Sequence, residues 1–194
     1  LNLFEEEDKS LFGKKVLITA GGTKERIDPV RYISNDSSGK MGYALAEDAV
    51  KKGAEVILIS ATTALSVPNG VKMEYVESAR EMQEKVLNYF PSVDIAIMVA
   101  AVSDYRVKEP ATQKIKKTDD KDEITLTLVK NPDILKQLGS LKKEGQTVIG
   151  FAAETHQVIE FAKQKLVKKN ADFIIANDVS DQSIGFGSDM HQVT

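Results

Sequence analysis

The chain has 194 residues, 42% hydrophobic and 28% charged, so it can bury one core and is too short for two ordinary domains. Its formal net charge of −3 gives no overall attraction to nucleic acid or anionic membranes. The absence of cysteine excludes disulfides, thiolate metal sites and a cysteine nucleophile, and two histidines are too few for a histidine metal cluster. No apolar run approaches the roughly 20 residues that span a bilayer. We therefore expect a cytoplasmic protein with no membrane or nucleic-acid partner.

Short apolar runs alternate with segments of helical periodicity along the chain. The runs are rich in Val, Ile, Leu and Ala without polar alternation, which is typical of strands buried on both faces of a parallel sheet. The predicted strands are Lys15–Thr19, Glu55–Ser60, Ile95–Val99, Thr147–Phe151 and Phe173–Ala176, and the predicted helices between them are Met41–Lys52, Ala79–Phe90 and Thr155–Lys169. This repeated βαβ pattern predicts a doubly wound, Rossmann-like α/β fold with a parallel sheet.

The segment Ala111–Val129 interrupts this pattern. It contains a lysine-rich stretch and a charged turn at 118–122, and it ends in Glu123–Val129, where polar and apolar residues alternate. Such alternation predicts a strand with one solvent-exposed face, outside the buried sheet. We interpret the segment as a protruding β arm that pairs with a second subunit. A hairpin folded back on its own domain explains the pattern equally well.

Two glycine-containing turns follow the first predicted strand. Gly21 and Gly22 come directly after it, and Ser37–Gly42 opens the next helix. In a doubly wound fold, ligands bind at the carboxyl ends of the strands, and helix N-termini bind phosphate, so these turns indicate a phosphate site. A tight connection between a strand and a helix would produce the same spacing.

Two familiar nucleotide motifs do not fit these turns. A P-loop needs a glycine where Ser34 stands and a Ser or Thr where Met41 stands. A nicotinamide dinucleotide site has a compact glycine turn and an acid after the second strand. Here the long loop Lys24–Asp36 intervenes, and the second strand runs into Ile59–Thr62 without a carboxylate. Long polar loops of this kind are usually functional.

The loop and its surroundings carry a resemblance to a known family. Ile18–Thr23 and Ile27–Gly42 resemble the opening signature of bacterial phosphopantothenoylcysteine synthetase, the C-terminal half of a bifunctional decarboxylase–synthetase flavoprotein. Further matching motifs follow in the family's order at Ala100–Arg106, Lys114–Lys117, Lys130–Leu135, Gly150–Thr155 and Ala176–Asp178. Together they cover nearly the whole chain from Gly13, which makes the resemblance far more specific than any single glycine pattern.

The resemblance implies a ligase of coenzyme A biosynthesis. In that reaction the carboxylate of 4′-phosphopantothenate attacks the α-phosphate of CTP, releasing pyrophosphate and leaving an acyl-cytidylate. The amine of L-cysteine then displaces CMP to form the amide. The resemblance also implies a homodimer, Mg²⁺ or Mn²⁺ held mainly by the CTP phosphates, and a flavin-dependent decarboxylase domain in the full-length protein. Because the residues of that flavin domain are absent, we expect no FMN in this chain.

The resemblance also assigns residues to the site. Lys114 matches the lysine required for the first half-reaction, and Asn35 matches the asparagine that acts on the acyl-cytidylate. Arg31 matches an arginine whose planar fork suits a phosphate or carboxylate of the pantothenate arm. The residues expected at the nucleotide are Gly21, Gly22, Met98, Val99, Ala100, Asp104, Lys114, Pro132, Asp133, Ile134, Leu135, Phe151, Lys165 and Lys169. Without the resemblance, most of them read as solvated lysines, helix-cap residues or core residues.

For the domain organisation, we expect a linker at 1–12 and a synthetase domain at 13–194, from which the family's final strand and helix are missing. Two alternatives to the ligase remain. A short-chain nicotinamide-dependent oxidoreductase is disfavoured because the acid after the second strand and a Tyr-x-x-x-Lys pair are both lacking. A non-catalytic nucleotide-binding or assembly module differs from the ligase in turnover alone.

Overall fold

The computed structural model describes residues 8–117, 123–154 and 157–178. The predicted charged turn at 118–122, the predicted helix start at Thr155 and the segment after residue 178 lie outside these ranges. The strands are β1 (Lys15–Ala20), β2 (Lys24–Arg26), β3 (Tyr32–Ser34), β4 (Glu55–Ser60), β5 (Val71–Tyr75), β6 (Ile95–Met98), β7 (Tyr105–Val107), β8 (Leu128–Lys130), β9 (Thr147–Glu154) and β10 (Phe173–Asp178). The helices are α1 (Lys40–Lys51), α2 (Ala79–Tyr89), α3 (Ile134–Leu141) and α4 (Val158–Lys169), and a short 3-10 helix spans Phe90–Ser92.

Six of these strands form one parallel sheet in the order β10-β9-β6-β1-β4-β5. Ranked by their position along the chain, they follow the 3-2-1-4-5-6 order of doubly wound dinucleotide-binding folds. The order reverses between β1 and β6, and ligands of such folds bind beyond the carboxyl ends of the strands at that point. The predicted Rossmann-like α/β fold is confirmed.

The core covers both faces of this sheet. Leu17 and Ile18 in β1 are fully buried and point to opposite faces, as successive residues of a strand must. One face packs against α1 through Ala46, and the other packs against α2 through Met82 and against α3 through Leu138. Burying a large aliphatic side chain contributes about 1.5–3 kcal/mol, so the uninterrupted apolar strands dominate the stability of the fold.

One strand of the main sheet escapes the sequence prediction. β5 pairs with β4 at the sheet edge, and its sequence Val-Lys-Met-Glu-Tyr alternates and stays half-exposed. Residues 61–70, all of which the structure describes, connect the two parallel strands without a helix. The βαβ pattern therefore does not hold for β4 and β5. β5 was not predicted because a strand with one solvated face lacks the continuous apolar run that identified the other strands.

The interrupting segment folds partly back on its own domain. β7 and β8 pair antiparallel with each other and stand outside the main sheet, as does the hairpin of β2 and β3. The strand predicted at Glu123–Val129 begins only at Leu128, and residues 123–127 are irregular, which corrects the prediction. Pairing of this arm with a second subunit remains a prediction. Within the described ranges, every helix is too short or too polar to cross a bilayer.

Candidate functional site

A cavity of about 470 Å³ opens where the strand order of the sheet reverses. Thr19 in β1, Met98 in β6 and Phe151 in β9 form its floor, and residues of α3 and α4 form its wall. We call it the sheet-end cavity. The residues predicted at the nucleotide that line it are Met98, Ala100, Asp104, Pro132, Asp133, Ile134, Leu135, Phe151, Lys165 and Lys169. The fold thus brings together residues that are up to 71 positions apart.

The cavity also contains residues that sequence reasoning did not select. These are Thr19, Val102, Ser103, Tyr105, Lys130, Asn131 and Lys168. A signal existed for most of them, because Val102, Ser103 and Tyr105 lie inside the motif Ala100–Arg106, and Lys130 and Asn131 open the motif Lys130–Leu135. Lys168 is next to Lys169 on α4, and only the helix orientation reveals that both reach the cavity.

The charge of the sheet-end cavity differs in sign from that of the chain. Four lysines, at positions 130, 165, 168 and 169, line it against two aspartates, at positions 104 and 133. The chain as a whole carries a formal charge of −3. A concave site with a local excess of positive charge attracts anions, and several lysines around one cavity suit a polyphosphate.

Asp133 organises the wall of the cavity. Its Oδ1 accepts a hydrogen bond from Lys136 N at 3.0 Å and so caps α3, and its Oδ2 forms an ion pair with Lys169. Burial raises the pKa of this carboxyl, but the hydrogen bonds from Lys169 and Lys136 outweigh that effect and lower the pKa below its ordinary value. Lys165 Nζ donates to Phe151 O at 2.7 Å. Both predicted lysines of α4 are therefore held against the cavity by protein groups.

The close packing of α3 against α4 fixes the basic end of α4. A Cβ added to Gly139 would lie 1.9 Å from Lys169 O, so only glycine permits this approach. Asn170, at φ 51°, ends α4 in the left-handed conformation, and its Nδ2 donates to Gly139 O at 2.7 Å. The position of Lys168 and Lys169 thus depends on one glycine and one helix-terminating asparagine.

Gly21, Gly22 and Val99, all within the described ranges, do not line the cavity. A Cβ on Gly22 would lie 2.6 Å from Asn35 O, so this glycine allows the loop that carries Asn35 to cross β1. The backbone N–H groups of Val99 and Ala100 donate to Thr19 Oγ1 at 3.1 and 3.2 Å. In this structure the glycine turn allows close packing of the chain, and the Thr19 hydroxyl accepts hydrogen bonds from the two backbone N–H groups that follow β6.

Gly39 and Thr62 pack closely against the glycine turn that follows β1. A Cβ on Gly39 would lie 2.8 Å from Thr62 Cγ2 and 3.3 Å from Gly21 N. Tyr43 closes the same region, since its hydroxyl donates to Ser60 Oγ at 3.1 Å. Packing between the first helix and the end of β4 therefore occupies this part of the fold.

A second group of predicted residues lies outside the sheet-end cavity. We call Asp28, Arg31 and Ile115 the Asp28 cluster. Asp28 is 1% exposed, and its Oδ2 accepts from Arg31 Nη2 at 2.7 Å and from Ile115 N at 3.1 Å. Lys114 is adjacent to Ile115 and is exposed. The structure therefore places Arg31 and Lys114 close together in the chain trace, although they are 83 positions apart in sequence.

Asn35 and Thr23 connect the two groups. Asn35 Nδ2 donates to Ala101 O at 3.4 Å, directly beside the cavity residues Ala100 and Val102. Thr23 Oγ1 accepts from Ser103 N at 2.9 Å, and Thr23 O accepts from the Ser34 hydroxyl at 2.8 Å. The loop that ends in Asn35 is thus bonded to the same chain segment that lines the cavity.

Few side chains of the described ranges could ligate a metal ion at the cavity. These ranges contain no group of three or more His, Cys, Asp or Glu side chains suited to a metal ion. Two carboxylates, Asp104 and Asp133, line the cavity. Mg²⁺ typically keeps several waters and takes one or two carboxylates in addition to phosphate oxygens, so this donor set fits a magnesium ion that arrives with a nucleotide.

Comparison with known proteins places the chain in a family. Residues 11–194 match the family described as "DNA/pantothenate metabolism flavoprotein C-terminal domain". The coenzyme A biosynthesis bifunctional protein CoaBC of Vibrio parahaemolyticus is 50% identical over 97% of this chain and 47% of its own length. The chain therefore spans about half the length of this curated relative.

Solved structures agree with that assignment. The crystal structure of the C-terminal domain of a CoaBC protein superposes with a TM-score of 0.77 at 50% identity, covering 88% of this chain and 80% of that one. A Cab2 mutant in complex with phosphopantothenate-cysteine has a TM-score of 0.73 at 19% identity, covering 87% of this chain and 74% of that one, and shares the fold. The chain belongs to the DNA/pantothenate metabolism flavoprotein C-terminal domain family.

Proposed function

We propose that this chain is the CTP-dependent ligase that joins 4′-phosphopantothenate to L-cysteine. The observation that carries the proposal is the position of Asn35, whose amide contacts Ala101 O at the rim of a lysine-rich cavity. A reaction between a nucleotide α-phosphate and a separate carboxylic acid needs adjacent nucleotide and acid sites of this kind. The 50% identity to CoaBC proteins and the phosphopantothenate-cysteine bound to the Cab2 neighbour support the choice of substrates.

The nucleotide belongs in the sheet-end cavity. Lys165 and Lys169 are one helical turn apart on α4 and both line the cavity, so one polyphosphate can contact both. In the described structure Lys169 is paired with Asp133, and phosphate would compete with that carboxylate for the ammonium. Phe151 offers an aromatic surface for the base or the ribose, and Asp104, which also lines the cavity, can accept from ribose hydroxyls.

The first half-reaction needs a cation at the α-phosphate. The phosphopantothenate carboxylate attacks the α-phosphorus, the bond to the β-phosphate oxygen breaks, and pyrophosphate leaves with its electrons. Negative charge increases on the non-bridging oxygens during this step, and an ammonium group placed there lowers the barrier. We assign this role to Lys114, whose exposed side chain lies on a segment anchored to the loop that leads to Asn35.

The second half-reaction forms the amide. The cysteine amine attacks the acyl carbon of the acyl-cytidylate, the bond to the phosphate oxygen breaks, and CMP leaves while the nitrogen gives up a proton. An amide side chain can donate to the acyl oxygen and accept from the incoming amine at the same time. We assign this role to Asn35 and the binding of the pantothenate arm to Arg31, whose side chain is 42% exposed. Mg²⁺, when bound through the phosphates, supplies further charge neutralisation.

The assembly is part of the proposal. Four large apolar side chains remain 44–58% exposed on the two small hairpins, namely Tyr32 on β3, Tyr105 on β7, Leu128 on β8 and Ile124 in the connection between β7 and β8. Such an accumulation suits a contact with a second copy of the chain. We expect a homodimer through these hairpins and, in the longer protein, a flavin-dependent decarboxylase domain joined to this one.

The two alternatives remain weaker. A nicotinamide dinucleotide is disfavoured because Gly39 and Thr62 pack closely against the glycine turn, and because β4 ends at Ser60 and is followed by Ala61 without an acid. A non-catalytic module differs from the ligase because it would bind CTP without turnover. CTP binding without pyrophosphate release would support that alternative.

The experiment that tests the function is pyrophosphate release from CTP and Mg²⁺, measured with and without 4′-phosphopantothenate and with and without cysteine. We expect release that requires phosphopantothenate and continues only with cysteine. In Asn35→Asp we expect the acyl-cytidylate to accumulate, detectable by mass spectrometry, because the first half-reaction does not depend on this amide. Release without phosphopantothenate, or none with CTP bound, would exclude the ligase.

A further inference from the structure

Asp28 is a buried carboxylate within a solvent-exposed loop. Its side chain is fully buried, whereas Pro29, Val30 and Tyr32 around it are exposed. Burying a charged carboxylate is strongly unfavourable unless hydrogen bonds and an opposite charge compensate for the lost water. The surface loop 27–31 between β2 and β3 has little need of such a group for its own stability, so the partners of Asp28 indicate its role.

Asp28 closes its own turn with one oxygen. Its Oδ1 accepts from Val30 N and from Arg31 N, both at 2.8 Å. Any Asp or Asn at the start of a turn makes contacts of this kind. This oxygen therefore accounts only for the local shape of the loop.

The other oxygen acts over a much longer range. Asp28 Oδ2 accepts from Arg31 Nε at 3.0 Å and from Arg31 Nη2 at 2.7 Å, and it also accepts from Ile115 N at 3.1 Å. Arg31 Nη2 donates in turn to Ile115 O at 2.6 Å. The carboxylate and the guanidinium thus bind the backbone N–H and C=O of Ile115, which lies more than 80 positions later in the chain. A third bond, from Ala111 N to Ile27 O at 2.8 Å, supports the same contact.

The ionic form of Asp28 suits the hydrogen bonds to its own two oxygens. Burial raises the pKa of the carboxyl, but the hydrogen bonds from Val30, Ile115 and Arg31, together with the Arg31 guanidinium, hold the pKa well below its ordinary value. Five donors surround the two oxygens, and only a carboxylate presents acceptors to all of them. An asparagine at this position would point an N–H₂ group at donors whichever way it turned.

The held segment is the one that carries Lys114. Lys114 precedes Ile115, and its exposed side chain is free to point towards ligands while its backbone is fixed one residue away. We propose that Asp28 is a positioning residue that docks the segment 111–117 onto the loop 27–31 between β2 and β3, and so sets the position of Lys114. The catalytic consequence rests on the proposed function, because it takes Lys114 to act in the first half-reaction. The docking itself consists of contacts within the chain and does not depend on that function.

The first test measures docking without any activity. We expect Asp28→Asn to increase trypsin cleavage after Lys114, Lys116 and Lys117 by about tenfold, since hydrogen bonds to a charged group are lost. Cleavage after Lys143, which is exposed in the turn before β9, serves as the internal reference and should not change. Mass spectrometry of the fragments gives the site of each cut.

Glu25→Gln is the matched control. Glu25 is also a buried carboxylate in the same hairpin, but its hydrogen bond is with Ala79 N of α2, at 2.9 Å, and not with the backbone of Ile115. Its substitution should leave the cleavage pattern of the segment unchanged. If Asp28→Asn fails to fold, as judged by its thermal midpoint, Ile115→Pro removes the same bond from the other side while both charged side chains stay. It should increase cleavage after Lys116 and Lys117.

The second test measures whether the docking matters for chemistry. Asp28→Asn should lower the rate of pyrophosphate release by about tenfold, with no further loss beyond about twofold when it is combined with Lys114→Gln. A merely structural role would lower the rate by the same factor in both backgrounds. Unchanged cleavage in Asp28→Asn overturns the docking, and equal losses in the two backgrounds overturn the positioning role. If the parent protein releases no pyrophosphate, the proposed function fails, and the cleavage experiment still decides whether Asp28 docks the segment.

Discussion

The sheet-end cavity and the Asp28 cluster are neighbours that the fold builds in different ways. The cavity lies between regular elements, and its wall is set by buried packing such as the contact of Gly139 with the end of α4. The Asp28 cluster joins two irregular segments through side-chain to backbone hydrogen bonds. Four lysines line the cavity, so the loss of one of them should weaken nucleotide binding only in part. The Asp28 cluster depends on one carboxylate, so its loss should affect the position of Lys114 strongly.

The largest expected effect is that of Lys114 on the rate of pyrophosphate release, with little effect on CTP affinity. Lys114→Gln should lower pyrophosphate release by about 10²–10³-fold, which is the usual loss when one group that stabilises transition-state charge is removed. CTP affinity, measured by calorimetric titration, should change far less, because Lys114 does not line the cavity.

Lys117→Gln is the control for that substitution, since Lys117 is exposed in the same lysine-rich stretch. It should keep the parent rate within about twofold, as surface charge changes away from a site usually do. Equal losses in the two variants would mean that the stretch acts through its total charge.

The next effect tests the packing that shapes the cavity. In Gly139→Ala the added methyl group meets Lys169 O, so α4 must move, and the free energy of unfolding should fall by about 3 kcal/mol. CTP affinity should fall with it, because Lys168 and Lys169 move with the helix end. Chemical denaturation and calorimetry measure the two quantities.

Ser140→Ala gives the comparison for this glycine. Ser140 is exposed, and its hydroxyl donates to Lys136 O within the same helix. Its substitution should change the free energy of unfolding by less than about 0.5 kcal/mol. A stable Gly139→Ala variant with parent affinity would show that the two helices can separate without cost.

A smaller effect concerns the lysines of α4. Lys165→Gln should raise the dissociation constant of CTP by about tenfold, consistent with the loss of one charged hydrogen bond to phosphate. The rate at saturating CTP should stay near the parent value. Lys163→Gln, on the same helix but outside the cavity lining, should alter neither quantity. A fall in the saturated rate would instead place Lys165 at the reacting phosphate.

The smallest effect is the pH dependence of the Asp133 contact. Asp133 has a lowered pKa in the folded chain, so its contribution to stability is fully present above the ordinary value of 3.8 and is lost as the pH falls through the lower folded value. The difference in unfolding free energy between the parent and Asp133→Asn should therefore stay constant from pH 8 to about pH 5 and shrink only below about pH 4. Its size should remain below about 1 kcal/mol, because the pair is partly exposed. A difference that varies near pH 7 would point to another titrating group.

Prediction from the sequence was accurate for the strands that are buried on both faces and missed the strands that are partly exposed. The apolar runs of β1, β4 and β6 were located to within one residue at each end, because a strand buried on both faces has no polar positions. β9 and β10 extend three and two residues beyond their predicted ends. β5 alternates at the sheet edge, and β2, β3 and β7 have three residues each, so none of them carries a pattern long enough to detect.

The site residues divide in the same way. Those in continuous motifs, such as Pro132–Leu135, were selected and do line the cavity, whereas Thr19 and Lys168 enter it through strand register and helix rotation. No local pattern encodes the bond between Asp28 and Ile115, because the two residues meet only after folding. Gly21 and Gly22 stay predicted nucleotide contacts, and in this structure Gly22 also allows a close chain approach that no larger residue would permit.

The contact between Gly39 and Thr62 has a consequence for redesign of the fold. Installing an acid after β4 would supply the ribose partner of a nicotinamide cofactor, yet Gly39 and Thr62 would still pack against the glycine turn at Gly21. Shortening the loop between β1 and α1 would remove Asn35 at the same time. A change of cofactor class in this scaffold therefore requires several coordinated substitutions, and the intermediates along that path would have lost one activity before gaining the other.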